Sequence, residues 1–132
     1  MIDADIRSFL LAQPAVAALV STRVEKSKAA QGTPFPRIVL TQVGQESLGH
    51  LTGPGNHGAG TWQIDCQART AGEVVELAQA VFDALEGHIG TMGARHAAVE
   101  MVNVVDDYDP DEGADSGTYR ILQDYRIVWE AQ

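Results

Sequence analysis

The sequence is poor in several residue types, and each shortage removes a class of function. It holds one cysteine, Cys66. An internal disulfide framework and a cysteine-rich zinc site are therefore excluded, and the usage fits a reducing cytoplasm. Basic residues are scarce: nine Lys and Arg against eighteen Asp and Glu leave a formal charge of -9. Nucleic acid and anionic membranes need a positive patch, and neither a Lys/Arg cluster nor a basic helix face is present, so direct nucleic-acid recognition and membrane binding are set aside. Long apolar runs are missing too. The stretch FLLAQPAVAALV at 9–20 has signal-peptide character, but Asp3 and Asp5 make its leading region acidic and Gln13-Pro14 interrupts it. It also falls short of the about 20 apolar residues of a membrane span. The expected protein is soluble and unexported.

Signatures of chemistry are equally thin. The histidines His50, His57, His88 and His96 show no HxH or HxxxH spacing, so ordinary surface histidines are expected and no metal. Asp107, Asp109 and Asp111 open like a calcium loop. However, Glu112 holds the position that needs glycine, and Thr118 stands where the bidentate glutamate belongs. Cys66 falls on the apolar face of a predicted strand, where a thiol is a small core residue rather than a nucleophile. Neither a Walker lysine nor a G-x-G-x-x-G leading into a helix is present. No catalytic residue and no cofactor are expected, and the chain is read as a non-enzyme.

What is present is a scaffold. In residues 61–68, Trp62, Ile64, Cys66 and Ala68 alternate with Thr61, Gln63, Asp65 and Gln67, the pattern of a strand with one dry and one wet face. Thr70 and Glu73 form a T-x-x-E capping box that should start a helix at Ala71. Val74, Leu77, Ala78, Val81, Phe82 and Leu85 then follow at helical spacing, and Gly87 sits where a left-handed cap would end the run.

Around this unit, Asp3 is placed to cap a first helix with an Ile6, Phe9 and Leu10 stripe, and Pro14 ends it or starts a second turn. Residues 23–25 suggest a short strand, 37–43 (RIVLTQV) a β-branched one and 98–105 another, with 88–97 (HIGTMGARHA) as a glycine-broken connection. Residues 44–60 hold six glycines in seventeen positions and read as a long loop, too long for a tight turn. Residues 106–117 carry six carboxylates in twelve positions and read as the tip of a hairpin into 118–130. That last strand, at about 43 Å, exceeds the roughly 36 Å diameter of a compact chain of this length. It should bend or reach beyond its domain, which points to an edge or end open to a neighbouring subunit. The whole is one domain over 1–132, of α+β class: an antiparallel or mixed sheet of about four to five strands with two main helices on one face.

The segments PAVAALVSTRV, QGTPFPRIVL, WQIDCQARTAGEVVELAQAVFDALEG and YRILQDYRIVWE, in this order over nearly the whole chain, resemble the tail-completion proteins of long-tailed bacteriophages. That family includes tail terminators, tail-to-head joining proteins and copies in prophages and gene transfer agents. The resemblance implies a structural virion protein, assembled in the bacterial cytoplasm. It would form a ring, commonly a hexamer, that caps the tail tube and meets the head connector or adaptor. A head-tail neck adaptor is the neighbouring reading, and a small ligand-binding or enzymatic α+β domain the competing one. For the ring reading, the two long loops supply candidate interface residues, Leu48, His50, Leu51 and His57 in the first and Asp109, Asp111 and Glu112 in the second. The acidic excess would repel like subunits, so Arg69, Arg120 and Arg126 are candidates for the positive side of a subunit contact.

Overall fold

The computed structural model describes residues 2–27, 33–46, 57–110 and 117–131. The chain begins with two short helices, α1 (Ile2–Leu11) and α2 (Pro14–Val20). Strands β1 (Val24–Lys26), β2 (Arg37–Glu46) and β3 (His57–Ala68) lead into α3 (Ala71–Leu85), and β4 (Ile89–Met92), β5 (Arg95–Asp109) and β6 (Thr118–Ala131) close the chain. The strands form one sheet of order β1-β2-β3-β6-β5-β4. Only the β1–β2 pair is parallel. The α+β class and mixed sheet hold, with six strands in place of four to five and three helices in place of two among the described residues.

The helices pack on one face of the sheet because each has one apolar stripe to bury. Ile6, Leu10, Val16 and Val20 from the first two and Leu77, Val81 and Leu85 from α3 meet Trp62, Ile64, Cys66, Tyr125 and Ile127 from the central strands. At the start of α3, Thr70 Oγ1 accepts a hydrogen bond from the Glu73 amide at 3.2 Å, and its hydroxyl donates to the Glu73 carboxylate at 3.0 Å. Gly87 adopts φ 75°, as its position after the helix requires, and its amide donates to Val99 of β5 instead of back into α3. Pro14 does both things open to it, following the end of α1 and occupying the first turn of α2.

Several expectations are corrected. Asp3 is not a cap: it lies inside the first turn of α1, 6% exposed, and its carboxylate accepts a hydrogen bond from Trp62. The glycine-rich connection at 44–60 is shorter than expected, because β2 continues through Glu46 past a bulge at Val43, and β3 already begins at His57. Residues 88–97 are not a loose connection but hold the β4–β5 hairpin, turned at Gly93 with φ 61°. The final strand is not an edge. β6 lies between β3 and β5 and pairs with both along nearly its whole length. The free edge belongs to its partner, since β4 pairs with β5 only as far as Ala98.

Candidate functional site

The register of the strands aligns side chains in rows across the face of the sheet opposite the helices. One row is Arg37, Gln67, Arg120 and Asp107, contributed by β2, β3, β6 and β5. Arg37 Nε donates to Gln67 Oε1 at 2.7 Å, and Gln67 Nε2 donates to Asp65 Oδ2 at 2.9 Å. Arg120 clamps both Asp65 oxygens, at 2.6 and 3.3 Å, and reaches Asp109 at 2.9 Å and Asp107 at 3.6 Å. The hydrogen bond that Arg120 donates to Asp65 holds the guanidinium proton more firmly than in a free arginine, against the opposing effect of burial. The face predicted to be wet is therefore dry here, with Asp65 and Gln67 5% and 8% exposed. Burial of the carboxylate is tolerated because the arginine neutralises it and fills its acceptor positions.

Beside this row, the Phe35 ring carries two guanidiniums, Arg37 at 4.1 Å and Arg69 at 4.2 Å from its centre. Arg69 also donates to the Gly117 carbonyl at 3.3 Å. These groups are partners of one another across four strands. Cys66 is fully buried, and burial, aided by the Asp65 charge, pushes its thiol well above the ordinary range.

At the opposite end of the same face, His57, Glu130 and His96 stand directly across β3, β6 and β5. They line a shallow depression of about 290 Å³ floored by Ala98, Val128 and Trp129. Among the described residues no group of His, Cys, Asp or Glu is arranged to hold a metal ion. His88 lies elsewhere, against Phe9 with ring centres 4.5 Å apart.

The far half of β5 is the most unusual surface. Val102, Val104 and Val105 are 53%, 51% and 49% exposed, on the part of β5 beyond its pairing with β4, which ends at Ala98. Between it and α3 runs a groove of about 300 Å³ lined by Val75, Phe82, Val104 and Asp106. Exposed valines along a free strand edge are what most folds avoid. The sequence held a signal for this. Val104 and Val105 are adjacent, and adjacent strand residues point to opposite faces, so one of them had to lie outside the core.

The structure scatters the sequence candidates. Leu48, His50, Leu51, Asp111 and Glu112 lie outside the described residues. His57 opens β3 rather than sitting on a loop, and Arg126 lies half-buried opposite Thr61 and Glu100. Asp109 and Arg120 are brought together, but as partners of each other.

The protein is thus an α+β layer with its helices on one face of the sheet and a largely paired polar network on the other. The chain belongs to the family of tail completion protein gp17, whose profile matches residues 4–130. Membership makes it a structural protein of a phage-like tail, located in the particle. The fold is similar to that of a chain in the virion of a native gene transfer agent particle, with 20% identity and a TM-score of 0.66 over 98% of this chain and 95% of that one. A second solved chain is 8% identical with a TM-score of 0.59, over 98% and 96% of the two chains. No curated protein sequence matches.

Proposed function

We propose that this protein caps the end of a tail tube as an oligomeric ring, commonly a hexamer in proteins of this kind, and forms the joint to the head connector or adaptor. The observation that carries the reading is the placement of the two long connections. The strand ends that flank 47–56, Glu46 and His57, lie at the end of the sheet with Glu130 and His96, and those that flank 110–117, Asp109 and Thr118, lie at the other end. A joint must present different surfaces to two partners, and a sheet with one connection at each end does so without any change of fold. One end would meet the tail tube, the other the connector. Leu48, His50, Leu51 and His57 belong to the first surface, and Asp109, Asp111 and Glu112 to the second.

The paired arginines and carboxylates of the polar face support a structural role, since they tie β2, β3, β6 and β5 together. The test is electron microscopy of particles assembled without this chain. Unjoined heads and tails, or tails of uncontrolled length, are expected, with normal particles restored when the chain is supplied. Complete, joined particles in its absence would refute the role.

A further inference from the structure

We propose that copies of this chain associate side by side through unlike sheet edges, the α1–β1 edge of one copy against the far half of β5 in the next. This rests on the ring reading and specifies which surfaces would make it.

The registers place both edges at the same height on the sheet. Glu25 is level with Val39, Asp65, Leu122 and Val105, and Val24 is level with Ile38, Cys66, Ile121 and Asp106. β1 runs parallel to β2, and each later step across the sheet to β5 is antiparallel, so β1 and β5 run in opposite directions. A second copy set beside the first by a sideways shift and a rotation would thus bring β1 against β5 antiparallel and in step.

The edges differ in charge. The α1–β1 edge carries Arg7, Arg23 and Lys26 against Asp3 and Glu25, whereas Asp106, Asp107 and Asp109 lie on the far half of β5. Asp107 and Asp109 share Arg120 within their own subunit, while Asp106 lines the valine groove. A groove of about 230 Å³ at the other edge, lined by Ala4, Val24 and Leu40 with Arg7 and Lys26 beside Asp3 and Glu25, offers apolar surface beneath a mixed rim. Two β5 edges would repel through their aspartates, whereas the α1–β1 edge supplies cations to meet them. Such a contact is head-to-tail, and a head-to-tail contact generates rings or filaments rather than closed dimers. Side chains must carry most of it, because Arg7 already occupies the Val24 carbonyl at 2.8 Å.

The test uses the purified full chain. Glu25→Cys and Val105→Cys variants are prepared separately, mixed and oxidised; Cys66 is buried and should stay silent. A covalent dimer in the mixture, and none from either variant alone, is expected. Lys26→Gln, which removes the charge without setting a second carboxylate beside Asp3, and Asp106→Lys should each weaken assembly about tenfold in light scattering while circular dichroism and melting stay those of the parent. Rings that form without the cross-link and ignore both charge changes would overturn the edge pairing and leave the ring intact. A chain that stays monomeric up to millimolar concentration and alongside purified tail tubes would overturn the ring reading and this contact together.

Discussion

The indole Nε1–H of Trp62 donates to the carboxylate of Asp3 at 2.8 Å, joining the middle of β3 to the first turn of α1. Both are buried, at 1% and 6% exposure, and Lys26 Nζ stands 3.0 Å from the second carboxylate oxygen. An acidic residue in the first turn also favours the helix through its dipole. Asp3→Ala should cost about 2 kcal/mol in urea denaturation, because the indole N–H is left without an acceptor. Asp3→Asn keeps an acceptor and should lose less. Equal losses in the two variants would assign the effect to charge alone.

Arg120 is expected to matter far more for Asp65 than for the acidic residues at the end of β5. Removing it in Arg120→Ala leaves a buried carboxylate with Gln67 as its remaining hydrogen-bond partner, a loss of about 3 kcal/mol. Asp109→Ala removes only an exposed partner and should cost less than about 1 kcal/mol. Chemical denaturation of the pair distinguishes a network that stabilises the fold from one that merely decorates it.

Two glycines should respond in opposite directions to the same substitution. A methyl group on Gly60 would lie 2.7 Å from the Gly44 carbonyl and 3.0 Å from the Trp62 ring, so Gly60→Ala must push β2 from β3 and should cost about 2 kcal/mol. At Gly72, in the first turn of α3, nothing stands within 4 Å. There the methyl group should raise stability by about 0.5 kcal/mol through better helix propensity. Melting temperatures of the two variants check both signs.

Alkaline pH should unfold the protein through its core. Burial raises the Cys66 thiol above its ordinary 9.0, and burial, with nearby acidic groups, raises the Tyr125 phenol above its ordinary 10.0. Both groups stay neutral in the fold at a pH where the unfolded chain has ionised them. Their contribution is thus fully present below those ordinary values and is lost as pH climbs from about 9 upward. A fall in the denaturation midpoint over that range is expected, reduced in a Cys66→Ala variant. Rapid reaction of the native thiol with a disulfide reagent at pH 8 would contradict the buried assignment.

The central unit was legible because its signals are local. Alternation in 61–68, the Thr70–Glu73 cap and the α3 stripe depend on neighbours a few residues away, and each reappears in the fold. Asp65 and Gln67 show where local reasoning stops. Alternation correctly put them opposite the core, but their burial comes from Arg37 and Arg120, which are distant in sequence. Residues 88–97 were obscured by glycine: Gly90 and Gly93 dilute the strand pattern, and the hairpin is held by pairing between β4 and β5 rather than by propensity.

By itself the sequence determined the α+β class, the position and capping of α3, the apolar face of β3, and the family resemblance, because periodicity and caps are properties of short segments. Tertiary structure alone decided which strand is left with a free edge. Both β5 and β6 are long enough to be an edge, and only the order of strands puts β6 in the middle and exposes Val102, Val104 and Val105. The physical reason is that strand pairing is a contact between distant segments, so no pattern within one segment can say on which side its neighbour will lie.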